Sequence, residues 1–160
     1  MGSTSDLEIM DKAAKQLEEF EIPFELLALS AHRTPDAVEN FARSAEDRGV
    51  SVIIAGAGMA AHLPGVIAAM TPIPVIGVPI RSSFDGWDAL LAIVQMPPGI
   101  PVATVAVNGA QNAAVLAAQI IAVADEKVRC TVKNFKRELG KKIEQANDEL
   151  KTVVYKFKTN

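Results

Sequence analysis

Both histidines of this 160-residue chain lie in short runs of small and polar residues. His32 belongs to the run SAHRTPD, and His62 belongs to the run GAGMAAHLPG. Histidine titrates closer to neutral pH than other side chains, so it is the residue best suited to give and take a proton during catalysis. Runs of this composition form loops, where catalytic residues are concentrated. The two runs therefore indicate an enzyme that carries out acid-base chemistry.

A third run, GSTSD at residues 2–6, has the composition of a phosphate site. Small residues at the start of a helix leave backbone N–H groups free, and the hydroxyls of Ser3 and Ser5 add further donors to an anion. Arg33, in the run SAHRTPD, presents a planar fork of donors that matches a phosphate. The residues leave simpler interpretations open: Ser5 or Asp6 caps a helix, and Arg33 lies in a solvated turn.

The glycine-rich run around His62 allows a ligand to approach the backbone closely. It does not predict a dinucleotide site, because the pattern G-x-G-x-x-G fails at Ala61 and no acidic residue follows the next strand. Two histidines without a cysteine pair or an HExxH spacing make a poor metal site, and the single Cys130 is typical of an ordinary helix residue. We expect neither a cofactor nor a metal.

The elements that must position these loops alternate between strands and helices. Apolar runs and helical spacing predict strands at residues 24–29, 51–55, 74–80 and 101–107, and helices at residues 6–20, 35–48, 85–95 and 110–124. Thr34 is the predicted N-cap of the second helix, with Pro35 in its first turn. Alternation of this kind predicts an α/β protein with a parallel sheet and right-handed crossovers. The expected architecture is a three-layer sandwich of flavodoxin-like or Rossmann-like type.

Ligands of such sheets bind at the carboxyl ends of the strands. Both histidines are predicted to lie at that edge. The serines of two further connections are expected there too, namely Ser3, Ser5, Ser82 and Ser83.

We expect a single domain over residues 1–160, with a core at 1–124 and a C-terminal extension of one or two helices at 125–160. The amphipathic pattern at residues 126–157 leaves open a break near Gly140, and it has no place on a sheet already covered by four helices. We therefore expect it to pack on a neighbouring subunit. A loop like residues 2–6 normally follows a strand, so we also expect the printed sequence to lack a first strand before Met1.

Composition excludes several classes of protein. The formal charge of -3 gives no reason to expect a nucleic-acid partner. Hydrophobic residues make up 49% of the chain, yet prolines and glycines interrupt each apolar run before it could span a bilayer. The first residues also lack the basic and apolar regions of a signal peptide. We therefore expect a cytoplasmic protein without a membrane partner.

Five runs together carry a family resemblance: GSTSD, SAHRTPD, GAGMAAHLPG, PVIGVP and IVQMPPGIPVATVAV. In this order they resemble the N5-carboxyaminoimidazole ribonucleotide mutases of purine biosynthesis, over residues 1–124. The resemblance implies a three-layer α/β fold, a small ribonucleotide substrate and no cofactor. It also implies a homo-octamer in which the C-terminal helix packs on neighbouring subunits.

The resemblance implies a role for individual residues. Ser3, Ser5 and Arg33 match residues that hold the substrate phosphate, Asp6 matches the residue that binds the ribose, and His32 matches the catalytic acid-base. The remaining matches form the loop around the reacting carboxylate: Gly58, Ala60, Ala61, His62 and Leu63. We also count Ser30, the first residue of SAHRTPD, among the predicted substrate-binding residues. Met59 departs from the glycine expected at its position.

The same resemblance leaves two activities to distinguish. Mutases move a carboxyl group within one substrate, whereas direct carboxylases combine aminoimidazole ribonucleotide with carbon dioxide. The residues HRTPD and AAHLPG, with Arg33 and His62, favour the mutase. The alternatives are the direct carboxylase and, from another class, a non-catalytic nucleotide-binding module of flavodoxin-like fold.

Overall fold

Three parallel strands form the centre of the molecule in a computed structural model that describes residues 1–160. The strands are β1 (Ile53–Gly58), β2 (Val75–Ile80) and β3 (Ala103–Thr104). The helices are α1 (Leu7–Glu19), α2 (Pro35–Ser44), α3 (Leu63–Ala68), α4 (Trp87–Val94), α5 (Ala110–Ile121) and α6 (Glu126–Lys151). Short 3-10 turns at Thr4–Asp6 and Phe84–Gly86 precede α1 and α4.

The strands lie side by side in the order β1-β2-β3. The register of β1 on β2 runs from Ile53 opposite Val75 to Gly58 opposite Ile80. All six residues of β2 are buried, which agrees with its uninterrupted apolar sequence and its central position. The predicted parallel sheet is confirmed.

Helices cover both faces of the sheet. One core cluster joins β1 with α2, α3 and α4, and a second joins β2 with α1 and α5. Gly77 lets α4 pack directly on β2, because a Cβ atom at this position would clash with the Cγ2 of Ile93. The α/β class with three layers is therefore confirmed.

The predicted strand at residues 24–29 is wrong as a member of the sheet. This segment is extended, but its backbone bonds only to Met1: Leu27 accepts from the Met1 nitrogen, and Leu29 donates to the Met1 oxygen. A strand needs a neighbouring strand to form a ladder, and no strand of the structure lies beside this segment. The fourth predicted strand is also shorter than expected, since only Ala103 and Thr104 pair with β2.

The helices α2, α3 and α6 each depart from the sequence prediction in a different way. Helix α2 ends at Ser44 and continues as turns to Gly49. The short α3 was not predicted, because its sequence LPGVIA carries proline and glycine and is too short to show a helical period. The long α6 continues through Gly140, where the helix-forming residues around the glycine compensate for its low helix propensity. No helix combines the length and the apolar character needed to cross a membrane.

Candidate active site

The two histidines meet at the carboxyl end of β1. His32 lies in the turn before α2, and His62 immediately precedes α3. The Nε2 atom of His32 is 2.9 Å from the Nδ1 atom of His62, with the rings edge to face at an interplanar angle of 76°. Both side chains are exposed to solvent, so they are open to a ligand. A hydrogen bond between these two nitrogens requires one ring to donate and the other to accept, so the contact constrains the orientation and tautomer of both rings.

The turn that carries His32 is held by its own side chains. The Thr34 hydroxyl accepts from the Ser30 N–H at 3.0 Å and donates to the Ser30 carbonyl at 3.2 Å. Thr34 occupies the N-cap position of α2, but its side chain makes no bond to that helix, so the capping role predicted for its side chain is wrong. The hydroxyl instead closes the loop and fixes the direction of the residues between Ser30 and Thr34.

Arg33 joins this turn to the start of the chain. The Ser30 hydroxyl accepts from both the backbone N–H and the Nε of Arg33, each at 3.2 Å. The Nη2 of Arg33 donates to the Gly2 carbonyl at 3.2 Å, and the Gly2 N–H donates to the Gly56 carbonyl at 3.1 Å. The runs GSTSD, SAHRTPD and GAGMAAHLPG are therefore linked to one another, as the sequence predicts for loops at one edge of a sheet.

Ser3 and Asp6 form a reciprocal cap at the N-terminus of the helical segment that leads into α1. The Ser3 N–H donates to Oδ2 of Asp6 at 3.1 Å, and the Ser5 N–H donates to the Ser3 Oγ at 3.3 Å. Asp6 therefore takes part in a capping box, but the N-cap residue is Ser3, so the simpler interpretation in which Ser5 or Asp6 caps the helix is only partly correct. The Ser5 side chain is exposed beside them, and its hydroxyl is 3.4 Å from Oδ1 of Asp6. Burial lowers the pKa of the nearby Met1 amino group, and the negative charge of Asp6 opposes that shift.

The glycine-rich loop packs closely against the end of β2 at Gly58. A Cβ atom on Gly58 would lie 3.1 Å from the Ile80 carbonyl and 3.5 Å from the Cβ of Ser82. Met59 follows with a φ of 56°, a left-handed conformation that glycine adopts more easily than methionine. Its side chain is 58% exposed.

Two of the predicted loop residues belong to the core. Ala61 and Leu63 are 1% and 3% exposed, so their side chains pack inside the protein. The N–H groups of Ala61 and His62 are bonded to the carbonyls of Met59 and Ala60, both at 2.8 Å. Within this loop, the residues at the surface are Gly58, Met59, Ala60 and His62.

The loop that follows β3 also lies at the carboxyl edge of the sheet, and it contains a residue, Asn108, that was not predicted to belong to the site. Asn108 follows β3 with a φ of 58°, and its side-chain oxygen accepts from the Arg81 N–H at 2.9 Å. Arg81, which follows β2, also forms an ion pair with Asp85. The sequence signal for Asn108 was the Asn-Gly pair after a strand, which is typical of a turn with positive φ.

The fold and the site together define an α/β protein with a histidine pair and polar, anion-compatible loops at the carboxyl edge of a parallel sheet. Comparison with known protein families identifies the family to which this chain belongs. The family model described as AIR carboxylase matches residues 1–142. The chain therefore belongs to the AIR carboxylase family, and the resemblance recognised in its five sequence runs is confirmed.

Individual relatives agree with this assignment. The chain is 56% identical over 140 residues to a Pyrococcus abyssi protein named N5-carboxyaminoimidazole ribonucleotide mutase, covering 87% of this chain and 80% of the relative. It is 52% identical to a Schizosaccharomyces pombe protein named phosphoribosylaminoimidazole carboxylase, covering 98% of this chain but 28% of that protein. The crystal structure of Treponema denticola PurE matches with a TM-score of 0.85 at 31% identity, covering 94% of this chain and 95% of that one.

Proposed function

We propose that this protein converts N5-carboxyaminoimidazole ribonucleotide to 4-carboxy-5-aminoimidazole ribonucleotide. Support comes from its Pyrococcus abyssi relative, which is named N5-carboxyaminoimidazole ribonucleotide mutase. The observation that carries the proposal is the 2.9 Å contact between His32 and His62 at the edge where the phosphate-compatible loops meet. A proton carrier is required because the carboxyl group leaves one atom of the substrate and joins another. This makes the enzyme an isomerase that needs only the substrate itself.

In the proposed mechanism, His32 serves both proton transfers. Protonated His32 donates its proton to the carbamate nitrogen, the nitrogen–carboxyl bond breaks, and its electron pair stays on the nitrogen as carbon dioxide is released. Carbon 4 of the electron-rich imidazole then attacks the carbon dioxide and forms the new carbon–carbon bond. Neutral His32 removes the proton from carbon 4, which restores the aromatic ring and returns the histidine to its starting state.

His62 is proposed to hold the migrating carboxylate and to orient His32. Its Nδ1 faces the His32 ring, which leaves its Nε2 available to the substrate. Gly58 and Ala60 add a wall without bulky side chains, against which a carboxylate or carbon dioxide can lie closely. Exclusion of water by this wall keeps the carbon dioxide from hydrating or escaping.

The other loops are proposed to hold the ribonucleotide. The Arg33 guanidinium and the hydroxyls of Ser3 and Ser5 supply donors to the phosphate, and the Asp6 carboxylate accepts from the ribose hydroxyls. Ser30 contributes by fixing Arg33, since its hydroxyl accepts from two nitrogens of that residue. Ala61 and Leu63, both buried, support the loop from below.

We propose that the chain acts as a homo-octamer in the cytoplasm. Support comes from apolar side chains at the surface of the C-terminal extension, among them Leu139, Ile143, Leu150, Tyr155 and Phe157. An isolated subunit would leave these side chains in water, and burying them between subunits is favourable. Sedimentation equilibrium tests the assembly: a mass close to eight chains is expected, and a monomer would contradict it.

An assay with both substrates tests the proposed activity. Purified protein is expected to convert N5-carboxyaminoimidazole ribonucleotide without added bicarbonate. The direct carboxylase, the competing candidate, would instead use aminoimidazole ribonucleotide with carbon dioxide in preference. Tight binding without turnover of either substrate would support a non-catalytic nucleotide-binding module.

A further inference from the structure

Strained backbone is concentrated at the edge of the sheet that carries the candidate active site. Five residues other than glycine have a left-handed φ, and four of them follow the carboxyl end of a strand. These four are Met59 after β1, Phe84 and Asp85 after β2, and Asn108 after β3. The fifth, Glu21, lies just beyond the C-terminal end of α1. Strain of this kind persists where the surrounding structure enforces it, and it is concentrated at functional sites.

Packing and hydrogen bonding do not account for the strain at Met59. The side chains of Asp85 and Asn108 both bond to Arg81, and these bonds offset the cost of their backbone conformation. Met59 and Phe84 are apolar and are 58% and 81% exposed, so their side chains contribute little to stability in return. Of these two residues, Met59 is the one that shares its loop with a histidine of the candidate site. This placement indicates a role for its side chain in the site.

Met59 lies on the outer surface of the loop that carries His62. The side chains of Ala61 and Leu63 are buried, whereas Met59, Ala60 and His62 are exposed. Two tight hydrogen bonds fold the loop: the Ala61 N–H donates to the Met59 carbonyl and the His62 N–H donates to the Ala60 carbonyl, both at 2.8 Å. The Cα atoms of Met59 and His62 are therefore less than about 11 Å apart, the extended length of three residues.

We propose that the Met59 side chain covers the carbon dioxide released beside His62 and retains it until carbon 4 of the imidazole attacks. The inference rests on the proposed function, in which carbon dioxide must stay in the site between the breaking of one bond and the formation of the next. Carbon dioxide is small and has no net charge, so an apolar, polarizable thioether suits it. The unbranched side chain of methionine has three rotatable bonds, which let it move aside for the ribonucleotide and then exclude water. The strain at Met59 is thus a cost in stability that serves the reaction.

A single turnover in the presence of labelled carbon dioxide tests the role of Met59. Protein in excess is mixed with unlabelled N5-carboxyaminoimidazole ribonucleotide, isotopically labelled bicarbonate and carbonic anhydrase, and mass spectrometry measures the ratio of labelled to unlabelled product. Label enters only when the original carbon dioxide escapes and a labelled molecule replaces it before the bond to carbon 4 forms. Met59→Gly is expected to raise this ratio about tenfold over the unmodified protein. A sample without protein measures the spontaneous loss of the carboxyl group.

Three further variants separate the apolar cover from the backbone strain. Met59→Asn relieves the strain without an apolar side chain, because asparagine tolerates a left-handed φ, and it is expected to behave like Met59→Gly. Met59→Leu keeps an apolar side chain of similar size and is expected to keep the ratio within about twofold of the unmodified protein. Glu21→Gly is the matched control, because Glu21 and Met59 have the same φ of 56°. Its exposed ion pair with Lys127 contributes little, so the ratio is expected to stay unchanged.

The outcomes distinguish failure of this inference from failure of the proposed function. An unchanged ratio in Met59→Gly, or an equal rise in Met59→Leu, would overturn the role of Met59 while the conversion itself stands. An equal rise in Glu21→Gly would also overturn it, since the effect would then follow from relief of strain anywhere in the chain. Absence of product from the unmodified protein would contradict the proposed function, and the inference would fail with it.

Discussion

The Nε2 atom of His32 and the Nδ1 atom of His62 are 2.9 Å apart, although 30 residues separate them in the chain. The contact joins a turn before α2 to the residue before α3, and it requires one imidazole to donate a hydrogen bond and the other to accept it. A histidine that must both give and take a proton benefits from a partner that fixes its tautomer. The pair therefore provides the sharpest tests of the proposed mechanism.

Replacement of His32 is expected to stop turnover without preventing binding. His32→Asn removes the proton carrier but retains a polar side chain, so kcat is expected to fall by about 10³-fold or more. Affinity for the ribonucleotide, measured by calorimetry, is expected to change by less than about threefold, because the phosphate and ribose contacts lie on other residues. A variant with nearly normal kcat would exclude His32 as the acid-base.

Two replacements of His62 separate its contact with His32 from its proposed contact with the carboxylate. His62→Asn keeps a polar atom near the position of Nδ1 and so preserves a partner for His32, whereas His62→Leu removes both interactions. We expect kcat to fall by about 10-fold for the asparagine variant and by about 10²- to 10³-fold for the leucine variant. Steady-state kinetics of the two proteins provide the measurement. Equal losses would show that the hydrogen bond to His32 contributes nothing.

The sequence predicted which residues form the loops of the site, but it did not predict which side chains contact each other there. Small residues, a proline and two histidines mark the runs around His32 and His62, and the alternation of strands and helices places both at one edge. Their 2.9 Å contact depends on how α2 and α3 pack against β1, which no local pattern encodes. Ala61 shows the same limit, because a small residue in a glycine-rich loop gives no sign that it is buried.

The remaining differences have local physical causes. The apolar sequence at residues 24–29 has strand character, but a ladder forms only beside another backbone, and here only Met1 is close enough to bond. Thr34 was expected to cap α2, since a hydroxyl at that position usually does so. Its bonds to Ser30 satisfy the same hydroxyl within the loop, a competition that the sequence does not resolve.

Replacement of Arg33 by lysine tests the role of the guanidinium fork. Arg33→Lys keeps the positive charge but loses the bond geometry that reaches both the Ser30 hydroxyl and the Gly2 carbonyl. We expect KM for the ribonucleotide to rise about tenfold while kcat falls less than about threefold, because phosphate binding contributes mainly to substrate affinity. Arg43→Lys, at an exposed position on α2 that pairs with Glu39, is the matched control and is expected to leave both constants unchanged. A loss confined to kcat would place Arg33 in the chemical step instead.

Met59 is the position where a glycine is expected to stabilise the protein. Its φ of 56° is unfavourable for a side chain with a Cβ atom, and the methionine is 58% exposed, so little packing is lost on its removal. Relief of this strain outweighs the greater flexibility that glycine gives the unfolded chain. Met59→Gly is therefore expected to raise the free energy of unfolding by about 0.5–1 kcal/mol, measured by urea denaturation.

Gly58→Ala, one residue earlier, is expected to lower the free energy of unfolding. Its Cβ atom would lie 3.1 Å from the Ile80 carbonyl oxygen, a backbone atom that cannot easily move. Equal destabilisation by the two variants would show that the Met59 side chain contributes packing that exceeds its backbone strain.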